Sequence, residues 1–219
     1  MEKPTINWTF ALEELARIET ESIRAFFQET DQHFQGKLSK LRAEAERDGP
    51  TSDDDVDWYV NLRDELEWFG QLNRYFAIVQ AYSLIERIFS RVVESAIDYG
   101  TLDKSILGRL KFPNTTVVKN GFKDLGITLP GEDSLPLQKL ADKRHTILHS
   151  GGWFQSEKKR KGKLAPMLLL EFAETDVESA LDLALRCTKS AVSQYRNFLL
   201  NVAPGPEQAT SGLKPEDRP

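Results

Sequence analysis

Apolar side chains recur three or four residues apart along most of the chain, the spacing that places them on one face of a helix. In the first segment, from Phe10 to Arg47, these positions are Leu12, Leu15, Ile18, Ile23, Phe26, Phe27, Phe34, Leu38 and Leu41. Gly49-Pro50 follows and predicts the end of this helix, because proline cannot continue one.

A second long helix is predicted from about Asp54 to Tyr99, with a weak point at Gly70. Ser52 and the three aspartates after it supply cap oxygens and negative charge that suit a helix start. The apolar positions of this helix are Val56, Tyr59, Leu66, Phe69, Phe76, Val79, Tyr82, Ile85, Phe89 and Val92. Two long helices joined by a short turn predict an antiparallel hairpin.

Residues 100–134 are interrupted by glycines and prolines, which predicts short helices over 103–110 and 115–125 followed by a loop. Ser134 is predicted to cap a further helix that carries Pro136 in its first turn and runs through His149. The basic run 157–163 is interpreted as the turn of a small β-hairpin within 153–172. Gly151 and Gly152 separate the two elements.

Thr175 and Glu178 have the spacing of a capping box and predict the start of the last helix. Its apolar stripe is Val177, Leu181, Leu185, Val192, Tyr195 and Leu199. Residues 204–219 are rich in Pro, Gly and polar side chains and are predicted to be disordered. The predicted fold is an all-α helical bundle over residues 1–203, with two long antiparallel helices, short helices and the small hairpin.

Composition narrows the class of protein. The apolar fraction of 40% and charged fraction of 29% are typical of a globular protein with a solvated surface. No apolar run approaches the roughly 20 residues that span a bilayer, and the N-terminus lacks the features of a secretory signal. We therefore expect a cytoplasmic protein with no membrane partner. Cys187 is the single cysteine, which excludes an intrachain disulfide and a cysteine zinc cluster.

Charge is distributed unevenly along the chain. The net charge of −5 argues against a protein that coats nucleic acid indiscriminately, although a local basic surface remains compatible with it. Between residues 142 and 163 there are seven Lys or Arg against two acids. This basic window includes Lys143 and the run Lys158, Lys159, Arg160 and Lys161, which are the predicted RNA contacts.

The chemistry-bearing pattern lies in the same window, where Arg144 and His149 stand near the end of a predicted helix and are followed by two glycines. Arginine can grip phosphate oxygens through two hydrogen bonds, and histidine can move a proton near neutral pH. Together they are the minimum set for cleaving RNA without a metal. His145, four residues before His149, shares its helix face and is predicted to support it.

This motif resembles the mark of the HEPN superfamily of helical bundles: Arg, a polar residue, three more positions, then His. Here it is Arg144-His145-Thr146-Ile147-Leu148-His149, followed by Ser150-Gly151-Gly152. Members often carry Asn after the Arg, where this chain has His145. The resemblance covers roughly residues 55–200, and its motif-bearing part is shorter than twenty residues.

The resemblance implies a metal-independent endoribonuclease without cofactors, in which two Arg/His pairs face one cleft of a homodimer. It implies catalytic roles for Arg144 and His149, and it gives Glu86, on a neighbouring helix, the role of orienting them. Such domains occur as toxins, in antiviral defence and in RNA processing. An antitoxin or another regulatory protein is therefore an expected partner besides the RNA substrate.

Helix geometry adds a condition to this hypothesis. At about 100° per residue, Arg144 and His149 lie roughly 140° apart around an ideal helix. They converge only if the Arg144 side chain reaches round the helix, if the last turn loosens before the glycine pair, or if a second protomer completes the site.

The same residues have simpler interpretations. Arg144 can pair with a carboxylate while His149 favours the helix C-terminus, and His145 with His149 can hold a zinc ion, although no third ligand accompanies them. The run 157–163 can be a solvated loop, and Glu86 a surface or structural residue. Trp153 and Phe154 can either stack on bases or pack in the core.

Two other functions remain open at this point. The first is a non-catalytic HEPN-like module that binds a protein or nucleotide, which a dimer with its motifs turned apart would favour. The second is a purely structural hairpin built on residues 10–99, which stable dimerisation of that fragment would support.

Overall fold

The structure, a computed structural model, describes residues 6–49, 52–98, 131–155 and 167–202. Helix α1 spans Ile6–Asp48, α2 Asp53–Asp98, α3 Gly131–Ser150 and α4 Glu174–Val202; strand β1 spans Trp153–Gln155 and β2 Met167–Leu169. The described part of the chain is a helical bundle. None of its helices is at once long enough and apolar enough to cross a membrane.

Helices α1 and α2 form the predicted antiparallel hairpin. Their alignment is fixed by aromatic pairs: Phe26 meets Phe76 edge-on at 5.7 Å between ring centroids, and Phe34 stacks on Phe69 at 6.0 Å. Gly49 ends α1 with a φ of +60°, a conformation that glycine adopts without steric cost. The helix α2 passes through Gly70 without a break, so the predicted weak point does not interrupt it.

Helix α4 packs across both members of the hairpin and completes the main core. Apolar side chains of its predicted stripe, with Val177, Leu181, Val192 and Tyr195 among them, are fully buried. A polar contact helps to fix the position of α4 along α2: the Tyr195 and Ser95 hydroxyls lie 3.0 Å apart in the core. The central part of α2 is buried on most sides because α1, α3 and α4 all contact it.

The far end of the hairpin has a core of its own. Leu38, Leu41 and Leu66 form a small buried cluster, flanked by Phe34, Tyr59 and Leu62, that is separate from the main core. We call this region, residues 34–49 and 52–66, the hairpin tip. Among the described residues, its apolar cluster is built by α1 and α2 alone.

Helix α3 begins at Gly131, three residues before the predicted cap at Ser134, so that cap prediction was wrong. The reason is a tertiary contact, since Asp133 in the first turn is buried and its carboxylate lies 3.0 Å from the guanidinium of Arg186. The ion pair holds the first turn of α3 against α4.

The start of α4 also differs from the prediction. Thr175 lies inside the helix and does not cap it, because Glu178 is drawn to α1 by Arg24 at 2.7 Å. The reciprocal bond of a capping box is made two residues earlier, where the Ala173 N–H donates to the Asp176 carboxylate at 3.0 Å.

Strands β1 and β2 pair antiparallel, with Trp153 opposite Leu169 and Gln155 opposite Met167. The turn that would join them lies outside the described residues, so the hairpin predicted for 153–172 stays a prediction. The short helices predicted at 103–110 and 115–125 and the disordered tail at 204–219 also lie outside the described residues.

Candidate functional site

The two motif side chains leave α3 in different directions. The helix remains regular through Ser150, so the loosened last turn that would bring Arg144 and His149 together within one chain is absent from the described residues. Arg144 turns into the bundle, where 18% of its side chain is exposed, while His149 is exposed on the open face. Neither a hydrogen bond nor an ion pair joins the two residues in the described ranges.

Arg144 is held by α2. Its Nη2 lies 3.2 Å from the Glu86 carboxylate, and its guanidinium carbon lies 5.3 Å from the centroid of the Tyr82 ring. The Nε atom is buried and has no hydrogen-bond partner among the described residues. Unpaired buried donors are uncommon in proteins, and a catalytic role is one of the explanations for them.

Electrostatics at this pair are set mainly by burial. Glu86 is 17% exposed. Burial raises the pKa of Glu86, and the positive charge of Arg144 offsets only part of that rise. Burial, helped by the charge of Glu86, raises the pKa of Tyr82 to about 12. Tyr82 is therefore a neutral aromatic wall for the arginine at ordinary pH.

A groove opens beside Arg144. It has a volume of about 440 Å³ and is lined, besides Glu86 and Arg144, by Ser83, Arg87, Ser90, Arg91 and Glu94. The α2 positions contribute two cationic side chains, two hydroxyls and two carboxylates to the lining, and Arg144 of α3 adds the third cation. Of the three groove cations, Arg87 forms an ion pair with Glu19 of α1. In the described part of the chain, neither Arg91 nor Arg144 forms an ion pair with α1.

His145 and His149 lie together on the exposed side of α3. Their ring centroids are 4.4 Å apart and their planes are inclined by 41°. The helix-face prediction for this pair is confirmed, because residues four apart project in the same direction. Both histidines are exposed to solvent.

The glycine turn after the motif is fixed by α2. The Gly152 N–H donates to the Thr146 carbonyl at 3.2 Å, and the Gly152 carbonyl accepts from the Leu170 N–H at 2.8 Å. The Tyr75 hydroxyl donates to the Leu170 carbonyl at 2.5 Å and lies directly against Gly152. Gly151 and Gly152 have φ values of +57° and +85°. Tyr75 thus helps to fix where α3 ends, and therefore where His149 lies relative to α2.

Lys143 is engaged within the fold. Its ammonium lies 3.2 Å from the Asp176 carboxylate and 4.9 Å from the centroid of the Phe172 ring. This pairing argues against the free RNA contact that the sequence predicted for Lys143. The other predicted contacts, Lys158, Lys159, Arg160 and Lys161, lie outside the described residues.

Three contributors to the site escaped the sequence interpretation. Tyr82 was read only as an apolar position, and Tyr75 was not singled out. Arg91 was also missed, although polar residues recur every three or four positions from Ser83 to Glu94. That spacing within an otherwise apolar helix was the available signal for a polar groove.

The chain matches no protein-family model, no curated protein and no solved structure. In the ranges that the structure describes, no group of three or more His, Cys, Asp or Glu side chains is placed to hold a metal ion. The groups available for chemistry are a largely buried arginine at a groove and two exposed imidazoles on the next face of the same helix.

Proposed function

We propose that this protein is a metal-independent endoribonuclease that uses Arg144 and His149 in a composite site of a homodimer, as part of a toxin or antiviral system. The observation that carries the proposal is the arrangement of Arg144. It is anchored by Glu86 over Tyr82 at the edge of a groove of about 440 Å³, one helix face away from an exposed histidine pair.

The chemistry requires two proton transfers and one charge to be stabilised. A ribose 2′-oxygen attacks the neighbouring phosphorus, its proton passes to a base, and the bond from phosphorus to the 5′-oxygen breaks as that oxygen takes up a proton. The products are a 2′,3′-cyclic phosphate and a free 5′-hydroxyl. His149 suits the proton transfers because it is exposed, and Arg144 suits the phosphoryl oxygens because it is a permanent cation.

A second protomer is part of the proposal because Arg144 and His149 diverge within one chain. A two-fold axis close to the groove would let Arg144 of one chain and the partner's His149 approach one phosphate. Glu86 would act as a positioning residue, since its carboxylate lies at Nη2 of Arg144 and leaves other guanidinium donors for phosphate.

The direct test measures cleavage of single-stranded RNA by the purified protein in EDTA. Arg144→Ala and His149→Ala are each expected to lower the rate by about 10²-fold or more. His33→Ala is the matched control, because His33 is exposed on α1 and takes no part in the motif. Activity that survives both motif substitutions, or that needs an added metal, contradicts the proposal.

Mixing the two inactive variants tests whether the site is shared between chains. A heterodimer of Arg144→Ala and His149→Ala chains contains one complete composite site, so a refolded equimolar mixture is expected to recover about a quarter of the wild-type activity. A site contained within one chain would recover none. The mixture therefore separates the composite site from a monomeric enzyme.

A second function, a non-catalytic interaction module, is favoured by an exposed apolar surface. Phe69, Leu72 and Phe76 follow one another along α2 with 42%, 39% and 47% of their surfaces exposed, and Phe26 of α1 adds a ring that is 53% exposed. Contiguous apolar surface of this kind marks protein-binding sites. Absence of RNA cleavage, together with a dimer whose two His149 side chains are far apart, would favour this function over the enzyme.

A further inference from the structure

His145 and His149 place two imidazoles side by side on a surface that solvent reaches. The ring centroids are 4.4 Å apart, and both residues are exposed. Because α3 is regular through Ser150, the backbone holds the two rings in this relation. The chain contains only one further histidine, His33, on a different helix.

Neutral imidazole binds borderline divalent transition metals through the lone pair of one ring nitrogen. Helical metal sites use histidines four residues apart as two adjacent ligands, because that spacing lets two nitrogens reach one ion. The described residues supply no cluster of three or more donors, so water would complete the coordination.

The surroundings favour a cation at this position. Asp142 and Gln138 lie on the same exposed face of α3, one and two turns before His145, and Asp142 contributes negative charge. The two basic side chains between Asp142 and His145 are neutralised elsewhere, Lys143 by Asp176 and Arg144 by Glu86. Neither of these two charges therefore stands unpaired beside the imidazoles.

We propose that His145 and His149 together bind one divalent transition-metal ion of the Zn²⁺, Ni²⁺ or Cu²⁺ class, and that the bound ion inhibits the site at His149. The inhibition rests on the proposed ribonuclease function. A neutral imidazole that gives its lone pair to a metal carries a proton on its other nitrogen, so no nitrogen remains to accept a proton from the 2′-hydroxyl.

The test uses the full chain without a polyhistidine tag. NiCl₂ and ZnCl₂ are titrated into the wild type, His145→Ala, His149→Ala and His33→Ala by isothermal titration calorimetry, and the melting temperature is followed with each metal. The two α3 positions are exposed on a helix and alanine favours helices, so the variants are expected to fold. Circular dichroism checks this, and His145→Asn and His149→Asn replace any variant that does not fold.

We expect one ion per wild-type chain, a rise in melting temperature with metal, and affinity that is weaker by about tenfold or more in each α3 variant because one of two linked ligands is lost. His33→Ala should bind like the wild type. Equal affinity in all four proteins, loss of binding in His33→Ala, or no binding at millimolar metal would overturn the proposal.

A separate readout keeps the two proposals apart. If the wild type cleaves RNA, added Zn²⁺ should stop cleavage and EDTA should restore it. Metal binding without any RNA cleavage would leave the metal site standing and count against the ribonuclease. Cleavage that continues while the metal site is saturated would overturn inhibition by the bound ion.

Discussion

Gly152→Ala is expected to destabilise the protein through two separate effects. Gly152 has a φ of +85°, which costs a residue with a side chain about 1–2 kcal/mol. A Cβ at this position would also lie 2.4 Å from the Tyr75 hydroxyl oxygen and 2.6 Å from two of its ring carbons. Overpacking of this kind adds about 1–3 kcal/mol, so the total loss is expected to be about 2–5 kcal/mol.

Gly49→Ala separates the two effects. Gly49 has a comparable φ of +60°, yet no atom of the described residues lies within 4 Å of its Cβ position, so only the backbone term of about 1–2 kcal/mol applies. Urea unfolding followed by circular dichroism measures both variants, and Gly152→Ala should show the lower midpoint.

Tyr75→Leu combined with Gly152→Ala completes the cycle. The double variant should lose less than the sum of the single losses, because the smaller side chain leaves room for the added methyl group. Equal losses in Gly152→Ala and Gly49→Ala, or strict additivity in the cycle, would refute the contact between Tyr75 and the glycine turn.

Three further predictions concern ionisable groups. Because burial raises the pKa of Glu86, the folded state holds that proton more tightly than the unfolded chain does; wild-type stability should therefore fall relative to Glu86→Gln as the pH rises above about 4, which urea unfolding measures. A parallel pH dependence in the two proteins would contradict the shift. Burial raises the pKa of the Cys187 thiol to about 12, so iodoacetamide at neutral pH should label it only after unfolding, as mass spectrometry would show. Arg24→Ala removes contacts with Glu178 and Asp182 of α4 and should cost about 1 kcal/mol, whereas Arg17→Ala, which breaks exposed pairs within α1, should leave the urea midpoint unchanged.

The long helices could be predicted because their signals are local and repeated. Helix α2 was expected from about Asp54 to Tyr99, and the structure gives Asp53–Asp98. The starts of α3 and α4 were less predictable, because acidic residues near these starts pair with other helices. Glu178 binds Arg24 instead of closing a capping box, and no pattern within residues 174–178 reveals a partner about 150 positions away.

In the candidate site, too, some features could be predicted from the sequence, and others depend on contacts between distant segments. The divergence of Arg144 and His149 followed from helix geometry alone, and the regular end of α3 agrees with it. The resemblance gave Glu86 the role of orienting the motif residues, and Glu86 does pair with one of them, Arg144. Their roles in catalysis stay predictions. Tyr75 could not be identified from the sequence, because its role depends on its contact with Gly152. That contact forms only when α2, α3 and the strands pack together.

The separate core of the hairpin tip has a consequence for how the protein opens. Helix α2 passes without interruption from this three-leucine cluster into the main core, so one helix crosses regions with different free energies of opening. Amide hydrogens near Leu66 should exchange through local fraying, while those near Ile85 should exchange only when the whole bundle unfolds. Gly70 lies at the boundary with space around its Cβ position, and Gly70→Ala should slow exchange at the tip by stiffening the helix there. A molecule that binds at the hairpin tip would then slow amide hydrogen exchange there, without any change in the average fold.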